Sequence, residues 1–397
     1  VVATRREVPA SDGAAALLGR LEDLHDLVAS RAREGEHLRR IPDETMVALA
    51  DTGVFRALVS PQRGGGGLGL DAVLGIGRTV GRADTATGWV TTFLAMHNWL
   101  ISMFPAAVVD EVFGTRGYAM APAALSPSGS AVPVDGGYQL SGRWQWGSGV
   151  LHADHVLVTG VVVAEDVLDL RMVLLDLDQV VVEDVWHTDG LRATGSNDVV
   201  VEGVVVPSER TVSFLDMVEG RAEPVPGTPM AGYPLVPVLA LTAAAPLVGG
   251  AEGALGAYRE RLAERVLAYT LGDRQAERAT AQVRLAVADS DIRAARLLAE
   301  GCARTLDATY GVGEPMDRRK RSALRMDTTS AVHMAKRAVA MLCDAAGGTA
   351  HLLDQPLQRF RRDLETGSAH AVFDLDRAAE TRGRALLGLE PGPSDML

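Results

Sequence analysis

Apolar positions recur at helical spacing from Ala15 to Glu36, and again from Pro42 through a run ending near Gly53. The same period continues through Leu70 to Val80, Thr85 to Phe104 and Ala106 to Gly114, so the opening region is helical. The glycine run Gly64 to Gly67 interrupts it as a turn; it joins no strand to a helix and is not a dinucleotide loop. From about Ala119 to Val212 the period shortens. Short alternating or apolar runs at Ala131 to Gly142, His155 to Val163, Leu170 to Leu177 and Val199 to Pro207 are separated by glycine, aspartate and proline. That pattern predicts an antiparallel sheet or barrel. Past the Pro- and Gly-containing stretch Glu223 to Pro237, long Ala/Leu/Arg-rich helical patterns run from about Leu239 to Gly347, and another from Pro356 to Leu387. The expected class is α+β: a helical domain over 1–118, an antiparallel β domain over 119–222 and a helical bundle over 223–397.

Composition narrows this picture. The chain has 397 residues, 47% of them hydrophobic and 23% charged, which is enough to bury a large core. Charge and glycine or proline break the apolar runs, so no transmembrane helix is expected, and the first residues lack the apolar core of a secretory signal. A cytoplasmic location is the default. A formal charge of -12 sets up a field that repels polyanions, which disfavours nucleic-acid binding while leaving room for a local basic pocket. Cys302 and Cys343 have no ligand spacing and read as buried thiols, with no disulfide framework. His152 and His155 stand three apart on an expected strand, which is too little to assign a metal site.

Four segments carry chemistry in this order: TGWVTTFLAMHNW (Thr87 to Trp99), LSGRWQWGSGVLHADHVLV (Leu140 to Val158), DGLRATGSNDVVVEGVVVP (Asp189 to Pro207) and PLQRFRRDLETGSAH (Pro356 to His370). With the helix, sheet, helix order, they make the chain resemble the acyl-CoA dehydrogenase fold superfamily. The resemblance is to its two-component flavin-dependent monooxygenase branch, and it extends over nearly the whole chain. It implies a reduced flavin, FMNH2 or FADH2, supplied by a separate NAD(P)H-dependent reductase, with O2 as cosubstrate. The implied reaction passes through a C4a-hydroperoxyflavin and hydroxylates a phenolic or aromatic polyketide-type substrate. A homotetramer is implied by the resemblance alone. No nicotinamide-binding fingerprint or reductase module is evident in the sequence, in keeping with a separate reductase.

The resemblance gives the residues roles that their chemistry supports. Trp144, Trp146, Gly147, Ser148 and Gly149 form one cluster, placing close-approaching backbone and one hydroxyl beside a planar cofactor. Ser148 is the contact near flavin N5 and substrate, Trp144 shapes the flavin site, and Gly147 stands where many relatives carry a second serine. Thr194, Gly195 and Ser196 form a second cofactor-side turn. Arg274 is the candidate for the flavin phosphate, a role a guanidinium suits. His370 is the candidate base, since a neutral imidazole can take a phenolic proton near operating pH. His97 is the second candidate, for substrate binding or proton movement. Arg362 and Asp363 organise the helix around His370, and Arg221 to Leu241 forms part of a substrate pocket. Three alternatives stay open: an N- or S-oxygenase of the same fold, an acyl-CoA dehydrogenase, which would need a carboxylate base where His370 stands, and a noncatalytic flavin-binding or interaction scaffold.

Overall fold

A computed structural model describes residues 13–164, 167–267, 270–310 and 316–389. The first residues, read above as lacking a secretory signal, lie outside the described residues. The first region contains α1 (Ala14–Glu22), α2 (His25–Leu38), α3 (Asp43–Asp51), α4 (Leu70–Ala83), α5 (Thr85–Ile101) and α6 (Ala106–Phe113). The single helix expected over Ala15 to Glu36 is two, because the chain breaks at Asp23 and Leu24 before restarting at His25. α5 begins sharply. Asp84 is its N-cap, accepting from the Thr87 amide at 2.9 Å and the Thr87 hydroxyl at 2.7 Å, and every residue of the helix is buried.

The middle region is one seven-stranded sheet: β1 (Ala123–Val134), β2 (Gly137–Gly147), β3 (His155–Ala164), β4 (Val167–Asp176), β5 (Val181–Glu183), β6 (Asn197–Pro207) and β7 (Thr211–Ser213), in the order β5-β6-β2-β1-β3-β4-β7. Its neighbours are antiparallel except for one pair. β1 and β3 are parallel, which corrects the all-antiparallel expectation. The reason is topological. β2 folds back on β1 through a tight hairpin, and the chain then crosses to the far edge of β1, where the strand after β2 must run in the direction of β1.

After the short α7 (Phe214–Glu219), the last region consists of α8 (Leu235–Glu264), α9 (Ala279–Tyr310), α10 (Arg318–Ala346), α11 (Pro356–Ser368) and α12 (Leu375–Leu386). By length and composition α8 is able to cross a membrane, against the expectation that every apolar run is interrupted too early. Most of that apolar stretch is instead buried against α4, α5, α9, α10 and α11, which makes it the axial helix of the protein core. Cys302 and Cys343 are buried in this core, where their thiols point at the Leu324 and Leu357 carbonyls and burial raises them to about 11 and 12.

Candidate functional site

The site grows from one face of α5. Trp89, Phe93 and His97 are spaced four residues apart, so they stack along a single stripe. Ring centroids lie 5.0 Å apart for Trp89 and Phe93 and 5.6 Å apart for Phe93 and His97. His370, just beyond the end of α11, joins the stripe with its ring centroid 5.8 Å from that of Trp89. Residues separated by more than 270 positions in sequence therefore share one aromatic wall.

At the Trp89 end of the wall stand the hydroxyls. The Trp89 indole N–H donates to Ser148 Oγ at 3.1 Å; Ser148 Oγ lies 2.8 Å from Ser196 Oγ, which lies 2.7 Å from Thr194 Oγ1. Thr194 donates onward to the Leu191 carbonyl at 2.9 Å. Two turns present these groups. The chain leaves β2 at Gly147 and turns at Gly149, whose φ of +81° suits glycine, and the Gly149 amide donates to the Thr194 carbonyl at 2.8 Å. Ser148 and Ser196 are thereby drawn together from separate strands. Ser196 and Thr194 are buried, and Ser148 is the half-buried end of the series.

The two histidines are wired oppositely. His97 is buried and its Nδ1 lies 2.8 Å from the Ala121 carbonyl, which only accepts; the proton sits on Nδ1 and Nε2 keeps its lone pair. In His370, Nδ1 accepts the Val372 amide at 3.2 Å, so the neutral ring carries its proton on Nε2. These tautomers follow from the hydrogen-bond partners. Burial pushes both imidazoles down to about 4, so both are neutral at pH 7.

A buried ionic cluster ties the supporting elements. Arg359 Nε lies 3.3 Å from Asp84 Oδ1, and Asp363 Oδ1 accepts the Leu191 amide at 2.6 Å. Asp363 is held well above the usual carboxylate range, first by burial and then by the Asp84 carboxylate, while the Leu191 amide and Arg359 pull it back and Glu36 adds to the rise. Arg362 reaches Glu36 at 2.7 Å from the same helix.

The remaining expected residues fall elsewhere. Trp144 is fully buried in the core of the sheet domain, with its indole N–H on the Thr159 carbonyl at 2.7 Å. A Cβ on Gly129 would sit 1.9 Å from its ring, so that glycine exists to admit the indole. The exposed aromatic beside Ser148 is Trp146, 55% exposed and held at a φ of +69° that a bulky residue rarely adopts. Its ring stands 6.2 Å from that of Trp186, whose N–H donates to the same Leu191 carbonyl at 2.9 Å. Arg274 is exposed between α8 and α9, bridged to Val266, and the structure does not bring it to the hydroxyl series. His152 lies 3.4 Å from Arg40, and His155 is bracketed by Asp154 at 2.9 Å and Asp176 at 3.2 Å. Among the described residues no group of three or more His, Cys, Asp or Glu is arranged to hold a metal ion.

An open hydroxyl at the end of a buried polar series, beside an exposed and strained tryptophan, fits the edge of a planar heteroaromatic cofactor. Residues 241–375 match the family model "Acyl-CoA dehydrogenase, C-terminal domain". The chain is 36% identical over 378 residues to the oxygenase subunit HsaA of a flavin-dependent monooxygenase from Rhodococcus jostii, covering 93% of this chain and 98% of that protein. This chain belongs to the two-component flavin-dependent monooxygenases. It is also 31% identical to the oxygenase component of an FADH2-dependent resorcinol hydroxylase from a Rhizobium strain, covering 94% of this chain and 95% of that protein. The crystal structure of the HsaA monooxygenase from M. tuberculosis superposes with a TM-score of 0.90 at 33% identity, covering 97% of this chain and all of that one. This flavin-dependent monooxygenase is therefore an enzyme with the acyl-CoA dehydrogenase-like α+β fold that uses flavin and O2. The dehydrogenase and scaffold alternatives give way to that membership.

Sequence reasoning missed Trp89, Trp186 and the tie of Arg359 to Asp84; Trp146 stood in its flavin-side cluster and Asp363 beside His370. Only the first left a readable signal, the four-residue spacing of Trp89, Phe93 and His97. The others depend on contacts between distant segments.

Proposed function

We propose that this oxygenase hydroxylates a phenolic substrate held along the Trp89, Phe93 and His97 face, with reduced flavin delivered by a separate reductase. The observation that carries this reading is the pair of oppositely wired histidines on one aromatic wall. The resorcinol hydroxylase relative acts, by its name, on a phenol. Bound reduced flavin supplies the activation of O2. The protein supplies the rest: Ser148 and Trp146 hold the edge of the cofactor, while the aromatic stripe stacks and desolvates the substrate ring.

His97 takes the role first assigned to His370. Its free Nε2 accepts the hydrogen bond of the phenol in the ground state. An imidazole with a value near 4 does not deprotonate a phenol outright at pH 7, since the phenol reference is about 10. As oxygen transfer draws electron density from the ring, the hydroxyl acidifies and Nε2 then takes the proton. His370, with its proton on Nε2, is a donor that steadies negative charge developing on oxygen in the site. Arg274 contributes to the flavin phosphate only if a second subunit brings one to it. Exposed Val283, Val287 and Leu297 on α9, with Leu386 and Leu387 at the end of α12, give apolar surface for such self-association.

The test supplies chemically reduced FMN or FAD, isotopically labelled O2 and a panel of substituted phenols and aromatic polyketides to the purified protein. A product bearing one labelled oxygen, formed only with protein present, is expected from at least one phenol. Labelled oxygen appearing only on nitrogen or sulfur compounds in a parallel panel would overturn the reading.

A further inference from the structure

The hydroxyl series has a fixed direction. The Leu191 carbonyl has no proton to give, so the Thr194 proton lies in the 2.9 Å gap between them. Thr194 Oγ1 must then receive from Ser196 across 2.7 Å, and Ser196 from Ser148 across 2.8 Å. At the open end the Trp89 N–H fills one lone pair of Ser148 Oγ. Ser148 is left with its proton committed inward and a single lone pair for a ligand. Reversing the series leaves Thr194 Oγ1 and Leu191 O facing each other 2.9 Å apart without a proton between them. That carbonyl is also fixed by the Trp186 N–H at 2.9 Å.

From this we infer that Thr194 and Ser196 determine the redox state of flavin the site accepts, by making Ser148 a hydrogen-bond acceptor toward the flavin ring. The inference rests on the proposed function and on Ser148 facing flavin N5, as the resemblance implies. Reduced flavin carries a proton on N5 and donates to Ser148. Oxidised flavin presents a lone pair at N5 and meets another lone pair. Thr194 and Ser196, both buried, are positioning residues and act through the direction of one proton.

The test measures dissociation constants of reduced FMN, anaerobically, and oxidised FMN by quenching of tryptophan fluorescence, in the wild type and in Thr194→Val, Thr194→Ser, Ser196→Ala and Ser148→Ala. Each variant is first checked by circular dichroism and thermal unfolding. In the wild type the reduced form binds more tightly. In Thr194→Val and Ser196→Ala the Ser148 proton is released toward the ligand, and the preference for reduced flavin falls roughly fivefold, the value of one ordinary hydrogen bond. Thr194→Ser keeps the terminal donor and restores the wild-type preference. Overturning results differ in what they sink. If Ser148→Ala changes flavin affinity while the two interior variants leave the preference intact, Ser148 touches flavin but the direction of the series is irrelevant. If Ser148→Ala leaves both affinities unchanged, Ser148 does not face flavin and the placement itself fails.

Discussion

Asp363 accepts the Leu191 amide at 2.6 Å, so the helix that leads to His370 also holds the turn that carries Thr194 and Ser196. Through Arg359 the same helix grips Asp84, the N-cap of the helix that presents Trp89, Phe93 and His97. One buried cluster sets three elements against each other. Gly190 lets the turn approach, since a Cβ there would sit 2.0 Å from the Arg362 carbonyl.

Asp363 gives the fold a pH dependence of definite sign. Its folded-state value is raised, so the folded protein keeps a proton that the unfolded chain has released. Stability from this group is greatest near and below about pH 4, the reference for a free carboxyl, and declines as pH rises toward the raised value. Asp363→Asn copies the protonated form and keeps an acceptor for Leu191. Thermal unfolding between pH 5 and 9, in roughly unit steps, should show the variant gaining on the wild type as pH rises. A constant difference would remove Asp363 as the titrating group.

His97 and His370 push in the other direction. Their folded-state values are lowered to about 4, so they contribute stability that is complete above about pH 6.5 and is lost as pH falls toward 4. Nitrogen-15 spectra of selectively labelled protein should show His97 protonated on Nδ1 and His370 on Nε2 at pH 7, with neither titrating between about pH 5.5 and 9. A His370 transition near 6.5 would contradict its desolvation.

For the reaction, His97→Ala should lower kcat for phenol hydroxylation by about 10² or more while reduced-flavin affinity stays near wild type. His370→Ala should mainly raise hydrogen peroxide released per product, since a lost donor weakens control of oxygen more than substrate activation. The reverse pattern, coupling lost with His97 and kcat lost with His370, would restore the base role to His370.

The two neighbouring tryptophans separate structure from binding. Trp144→Phe orphans the buried Thr159 carbonyl and should cost roughly 1–3 kcal/mol of unfolding free energy with flavin binding unchanged. Trp146→Ala should leave unfolding nearly unchanged and weaken flavin binding several-fold. Equal binding losses in both would place Trp144 at the cofactor after all.

Gly190→Ala tests the close approach of turn and helix. Displacing the turn from α11 should stretch the Leu191 to Asp363 bond, which hydrogen exchange reads directly as faster exchange of the Leu191 amide. Unchanged protection of that amide would show that the turn is held by other contacts.

Periodicity by itself was enough to determine the order of helical, sheet and helical regions, because the spacing of apolar residues is a local property of helix and strand. The four-residue spacing of Trp89, Phe93 and His97 is a local signal of the same kind, though the sequence reading took up only His97. The family resemblance, supported by residue chemistry, singled out Ser148, Thr194, Ser196 and His370. Periodicity did not separate Trp144 from Trp146, since both lie in one strand segment and only the sheet register and the space left by Gly129 decide which indole is buried. Nor did it orient the imidazoles: the partners of His97 and His370 are backbone groups at Ala121 and Val372 whose positions come from folding. The direction of the hydroxyl series and the grip of Asp363 on Leu191 were likewise decided by tertiary structure, because a hydrogen bond between distant segments requires the chain to bring donor and acceptor together, and no local pattern records that.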